Sequence, residues 1–245
     1  MRLLCQVSYK GTNYQGWQKQ KTAPSVQEEI EKVLSQILNT EINIFASGRT
    51  DAGVHAQRQY FHFDTDPNMD LDRLRYSANC LLPKDIFINE IRQVSDDFHA
   101  RYSAKGKTYT YLLRLDERNP FNYELETIVP YEVDIDLLIE SLKLFEGTHN
   151  FQDFTSKEED EDNFIRTIYS IDANYIEQTK QMIISIKGNG FMRYMIRNIV
   201  GTALVVAAKK EDISFIQYHL SKKDKREIVS YKAPAEGLYL VDVNY

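Results

Sequence analysis

The 245 residues are 42% hydrophobic and 12% aromatic, enough apolar material for a real core in one large domain or two packed halves, which excludes a disordered or fibrous chain. The net charge of -6 speaks against polyanion binding as a bulk property, but a run of five acidic residues at 158–162 accounts for most of it. The first ten residues hold no apolar stretch of signal-peptide length, and the apolar segment 195–208 is broken by Arg197 and Asn198 and too short to span a bilayer, so a cytoplasmic protein is expected.

Along the chain, "RLLCQVSY" alternates with Leu3, Cys5, Val7 and Tyr9 on one side and predicts a half-buried strand. "GTNYQGWQKQ" at 11–20 reads as a strand-to-helix loop with Trp17 anchored in the core. In "SVQEEIEKVLSQIL", Ser25 and Glu28 form a capping-box pair, and Val26, Ile30, Val33, Leu34 and Ile37 share one helical face. "INIFAS" and "QRQYFHF" predict paired strands around the segment "GRTDAGVHA", and a helix over about 70–80 and the strand "IFINEI" complete a β-α-β-β-α-β order.

The second half repeats that order with other residues. "KTYTYLLRL" is its first strand, 134–147 a helix stopped by Gly147, and 166–176 with 181–187 a hairpin. A long helix over 191–209, a short one over 213–220 and the strand "LYLVDVNY" close it. The expected fold is α+β: two tandem split β-α-β halves of the ferredoxin or RNA-recognition type, residues 1–100 and 101–245. Laid edge to edge, they would form a broad antiparallel sheet with helices on one face. Cys5 and Cys80 belong to no CxxC pair and read as free, buried thiols.

The chemistry-bearing candidates are few. No GxGxxG, GxxxxGK[ST] or GxSxG occurs, and the five histidines show neither HExxH nor i, i+4 pairing, so neither a nucleotide cofactor nor a metal is expected. What remains is Asp51, in a turn flanked by Gly48 and Gly53, with Arg49 two positions before it. A reacting carboxylate has to stay ionised, which calls for a nearby cation. Arg49 is one candidate; Arg197, in an otherwise apolar helix where an unpaired guanidinium is expensive, is the other, unless it bonds backbone carbonyls. Cations gather at Arg101, Lys105, Lys107, Arg114 and Arg118, and again at Lys222, Lys223, Lys225 and Arg226, which permits a basic groove on an acidic molecule. Tyr109 and Tyr111 share one side of their strand beside several of these cations; they either stack RNA bases or pack the core with their hydroxyls at its edge.

"GRTDAGVHA" at 48–56 closely resembles the active-site segment of the tRNA pseudouridine synthase A family. So do, in order, "YKGTNYQGWQKQ", "SVQEEIEKVL", "FHARYSAKGKTYTY", "GTHNFQDF", "GFMRYMIRNIVG" and "AEGLYLVDV", over essentially the whole chain. The resemblance implies isomerisation of uridine to pseudouridine at positions 38–40 of the tRNA anticodon stem-loop, without cofactor or metal, by a homodimer. It implies Asp51 as the catalytic aspartate, Arg197 as its paired cation, Tyr109 as the residue stacked on the target base, Leu238 as a pocket-lining residue, and Arg49 as the side chain entering the stem. Asn150 departs from the aspartate common in the family and puts one local hydrogen bond in question. Rival readings are a relative acting on another uridine, a non-catalytic RNA-binding module on the same scaffold, and a hydrolase that cuts the glycosidic bond without rejoining it.

Overall fold

The computed structural model describes residues 1–66, 69–156, 164–221 and 225–245. The acidic run at 158–162 and Lys222 and Lys223 lie outside the described residues. The first elements are β1 (Arg2–Tyr9), α1 (Val26–Leu38), β2 (Phe45–Ala46), β3 (His55–Asp64), α2 (Leu71–Leu81) and β4 (Ile86–Val94). They are followed by β5 (Gly106–Arg114), β6 (Thr127–Ile128), α3 (Ile135–Lys143), β7 (Gly147–Asn150), β8 (Ile165–Ile176), β9 (Gln181–Gly188), α4 (Met195–Ala207), α5 (Ser214–Leu220) and β10 (Leu238–Asn244). The chain is α+β and forms two compact units, Met1–Lys105 with Tyr239–Tyr245, and Gly106–Leu238.

In the first unit β1 is central, antiparallel to both β3 and β4, with Leu3 opposite Phe63 and Cys5 opposite Phe61. Leu3, Cys5 and Val7 are fully buried as predicted, with Phe61, Phe63, Trp17, Ile30 and Leu34 in the same core, but Leu4 on the opposite side is buried too, so the alternation is broken near the start of β1. Ser25 caps α1 by accepting from the Glu28 N–H at 3.3 Å, and Asp70 caps α2 by accepting from the Arg73 N–H at 3.0 Å. The strand predicted over "INIFAS" shrinks to two residues for a local reason. Side chains of α1 take the N–H groups a ladder would use: Ser35 Oγ accepts from Ile42 at 2.9 Å and Glu31 Oε1 from Ile44 at 3.2 Å. β1 pairs along one edge of β3; on the other edge the short β2 pairs with Phe61 and His62, and from Tyr239 onward β10 runs parallel, Tyr239 opposite His55. Both cysteines are free, but only Cys5 is buried; Cys80 is exposed on α2.

A second small cluster lies around His62, the register partner of Leu4. His62 is 2% exposed, stacked on Phe45 at 5.2 Å and edge-on to His99 at 4.6 Å. Its Nδ1 accepts from the Ala100 N–H at 3.2 Å, a bond only the neutral ring can make. Burial, then the nearby His99 and Arg2, push its pKa down to about 4, against the pull of Asp64 and a hydrogen bond to the Phe45 backbone. Between pH 6.5 and 4 the unfolded chain therefore takes up a proton that the folded one refuses, so this contribution to stability is intact above pH 6.5 and falls as pH drops. Unfolding free energies from urea titrations at pH 7 and 4.5 are expected to differ more for the wild type than for His62→Asn, which keeps an acceptor without titrating, by about 2 kcal/mol after allowance for screening. Equal pH dependence in the two proteins would refute this.

The second unit pairs β5 with β9, β9 with β8, and β8 with β7, all antiparallel, while β6 lies parallel to β5. Its core is built from Tyr111, Leu113, Met182, Ile184, Ile186 and Ile171, with Leu138 and Leu142 of α3. Helix α4 is buried on nearly all sides, including Met195, Ile199, Val200 and Ala203. The sequence predicts its start near 191, but the helix begins at Met195 because Tyr194 is left-handed, φ 61° and ψ 0°, and the Met195 N–H closes a turn onto the Met192 carbonyl at 3.1 Å. No helix among the described residues is long and apolar enough to cross a membrane.

Candidate active site

In the first unit the segment 47–54 links β2 to β3 and is held from both ends. The Ser47 N–H donates to Tyr60 O at 2.7 Å, Ser47 Oγ donates to Gln59 Oε1, and Gln59 Nε2 donates to Gly48 O at 3.0 Å. Thr50, only 8% exposed, shares a 2.8 Å hydrogen bond with the Tyr9 hydroxyl, and its carbonyl accepts from the Trp17 N–H at 3.1 Å. Past Asp51 the Val54 N–H closes a turn onto the Asp51 carbonyl at 3.1 Å, and Gly53, at φ 78°, donates to Tyr14 O at 3.3 Å. Asp51 is half-buried on this frame and Arg49 is exposed.

The 11–17 stretch is thus the clamp on the Asp51 loop as well as the anchorage for Trp17. Gly11 and Gly16 make the approach possible. A Cβ on Gly11 would sit 2.0 Å from Val54 O, and one on Gly16, whose φ is 92°, would sit 2.5 Å from Thr50 O. The Gly11 N–H also donates to His55 Nδ1 at 3.0 Å, and the His55 ring stacks on Tyr239 of β10 at 4.6 Å. The two glycines of "GTNYQG" were a visible signal for close backbone contact, without saying against what.

In the second unit Tyr109 and Tyr111 lie on β5 as expected but have different surroundings. Tyr111 is fully buried, its hydroxyl bonded to Thr127 Oγ1 at 2.9 Å and to Pro234 O at 2.5 Å, and burial pushes its pKa up. For Tyr111 the packing alternative holds. Tyr109 is 8% exposed and meets Phe191 edge-on at 5.3 Å. Leu238, 4% exposed, follows a turn closed by its own N–H on Ala235 O at 2.9 Å.

Arg197 projects from the first turn of α4 and donates from Nε to Ala233 O at 2.8 Å, while the Ala233 N–H donates back to Arg197 O at 2.9 Å. That carbonyl bond uses one of the five guanidinium donors. Gly201, one turn further on, lets α4 lie against the segment 231–233: a Cβ there would be 2.6 Å from Tyr231 O. The basic-groove expectation loses two members to structural duty. Arg114 pairs with Glu126 at 2.6 Å, and Arg226 donates to the carbonyls of Gln152, at 2.8 Å, and Thr155.

Asn150 accepts from the Gln152 N–H at 3.1 Å, so the amide oxygen closes the turn after β7 in place of a carboxylate. Sequence reasoning missed the pair Asp153 and His219, separated by 66 residues. His219 Nδ1 lies 2.8 Å from Asp153 Oδ2, while Asp153 Oδ1 accepts from the Glu227 N–H at 2.8 Å, both side chains being buried. Among the described residues no three His, Cys, Asp or Glu side chains are grouped as metal ligands.

Residues 6–103 and 142–245 match the family model for tRNA pseudouridine synthase. The chain is 37% identical over 241 residues to tRNA pseudouridine synthase A of Staphylococcus aureus (strain MRSA252), covering 98% of this chain and 90% of that protein. It is 39% identical over 241 residues to tRNA pseudouridine synthase A of Streptococcus uberis (strain ATCC BAA-854 / 0140J), covering 98% and 96%. A chain of the archaeal box H/ACA sRNP Nop10-Cbf5 complex is 15% identical, with a TM-score of 0.37, covering 80% of this chain and 44% of that one. The chain belongs to the tRNA pseudouridine synthase family.

Proposed function

We propose that Asp51 is the reacting carboxylate of an enzyme that converts uridine to pseudouridine at positions 38, 39 and 40 of the tRNA anticodon stem-loop. Family membership makes the chain an isomerase acting on tRNA. The reaction breaks the N1–C1′ bond of uridine, turns the ring and joins C5 to C1′; C5 gives up a proton and N1 gains one. Atoms and electrons balance without a co-reactant. Asp51 begins this by attacking C1′, adding to C6 or removing the C2′ proton, each of which needs an ionised carboxylate beside the ribose.

Arg197 is proposed as the cation that keeps Asp51 ionised, Tyr109 as the surface on which the uracil stacks, and Leu238 as an apolar wall of the pocket. Extruding a base costs a few kcal/mol, and Arg49 is proposed to fill the gap left in the stem. Stacking is worth about 1–3 kcal/mol and tolerates either orientation of the ring, which a base that must turn requires. The observation that carries this reading is the rigid fixing of the Asp51 loop by the clamp at 11–17. The working form is proposed to be a cytoplasmic homodimer sharing one tRNA between its copies, which sedimentation with and without tRNA would read.

The test is to treat an unmodified tRNA transcript with the protein, digest it and separate the nucleosides, with the modified positions mapped in parallel. Pseudouridine at 38–40 is the expected result. Free uracil would make the protein a hydrolase, and pseudouridine confined to other positions would overturn the site assignment.

A further inference from the structure

We propose that Arg193, Tyr194 and Lys232 form a clamp for the phosphodiester backbone of the RNA substrate, built around a strained aromatic residue at the start of α4. The clamp rests on the reading of the substrate as tRNA. Tyr194 adopts φ 61° and ψ 0°, a left-handed conformation that a residue with a Cβ takes only at an energetic cost. Such strain persists where the surroundings impose it, and it gathers at ligand clamps and other functional sites.

Here the surroundings are cationic. Lys232 Nζ lies 4.3 Å from the Tyr194 ring centroid, Arg193 Cζ 4.8 Å and Arg197 Cζ 5.4 Å. Arg193 also donates to the Tyr194 hydroxyl at 3.1 Å. The exposed charges of Arg193 and Lys232 on one ring repel each other, and the ring face offsets this only in part. Several cations elsewhere are paired with carboxylates: Arg2 with Asp64, Arg114 with Glu126, Lys143 with Glu146, Lys209 with Asp134. Arg193 and Lys232, both exposed, have no carboxylate in ion-pair range among the described residues. The first turn of α4 holds no acidic residue and Tyr194 provides no side-chain cap, so the helix dipole adds charge of the same sign.

Two neighbouring exposed cations with no carboxylate partner, Arg193 and Lys232, are matched by an anion from outside. RNA presents phosphates as a continuous row, and the two exposed cations, each within 5 Å of one centroid, are close enough to grip the same stretch of it. The planar Arg193 fork gives direction, and Lys232 a mobile point charge. Arg193 and Lys232 are positioning residues, holding the strand while other groups react.

Arg193→Gln, Lys232→Gln and the double variant are compared with wild type by tRNA binding across KCl concentrations and by steady-state kinetics. Each single change is expected to flatten the slope of log K against log salt by about 0.7–0.9, and to raise KM ~3–10-fold at physiological salt with kcat within twofold. Arg193→Lys is expected to restore the slope. An unchanged slope and KM in the double variant, or a loss of kcat with KM and slope unaltered, would overturn the clamp. If the double variant fails to fold, Lys232→Gln alone decides. Because binding is read without product, flattened slopes in a protein that makes no pseudouridine at 38–40 would refute the proposed reaction and leave the clamp standing.

Discussion

Asp51→Asn is expected to lower pseudouridine formation by about 10³-fold while leaving tRNA affinity within threefold and the melting temperature within about 2 °C. The amide keeps the size and hydrogen-bonding reach of the carboxylate but carries no charge and neither attacks carbon nor accepts a proton at neutral pH. Binding persists because affinity for RNA is spread over cations and stacking surfaces. Folding persists because the contacts that fix the loop run through Ser47, Thr50, Gly53 and Val54 and through the backbone carbonyl of Asp51. Single-turnover kinetics on an unmodified transcript, beside a binding titration, measures both. A fall of less than tenfold would remove Asp51 from the chemistry, and loss of binding with the fold intact would make it a recognition residue.

Gly11→Ala and Gly16→Ala are each expected to cost about 3 kcal/mol of stability and about 10²-fold in activity, although neither residue is assigned to touch the substrate. A Cβ at position 11 would fall 2.0 Å from Val54 O and one at position 16 would fall 2.5 Å from Thr50 O, so backbone has to move in both cases. At Gly16 the φ of 92° adds a penalty that any L side chain meets. Overpacking of this kind typically costs 1–3 kcal/mol, and the left-handed angle adds to it at position 16. The backbone that yields is the segment carrying Asp51, and a displacement of about 1 Å at a reacting group is worth ~10² in rate. Chemical denaturation and the tritium-release or digest assay test the two halves separately. An alanine variant with wild-type stability and rate would show that the clamp is slack.

Elements that depend on neighbours in sequence were legible: the Ser25 cap, the apolar face of α1 and the buried Leu3, Cys5 and Val7 side of β1 all follow from spacing. Elements that depend on distant partners were not. Ile42 and Ile44 alternate as a strand should, yet Ser35 and Glu31 on α1 take their N–H groups and shorten β2. The start of α4 was displaced by a left-handed tyrosine, which nothing in "FMRYMIR" announces. At the site, the importance of Asp51 could be argued from its turn and from the lack of other chemistry-bearing motifs. That Tyr111 packs in the core could not, since it is Thr127 and Pro234, far off in sequence, that capture its hydroxyl. Asp153 and His219 had no local signal at all.

The placement of β10 has a consequence for how the protein comes into being. The first unit needs Tyr239–Tyr245, and this parallel neighbour of β3, with Tyr239 stacked on His55 beside the Asp51 loop, is translated long after β3 itself. At ~5–20 residues per second, the ribosome spends on the order of ten seconds on the intervening residues while the His55–Ala56 end of β3 waits for its partner on that edge. A nascent chain that has not yet reached Tyr239 therefore lacks one support of the loop that carries Asp51.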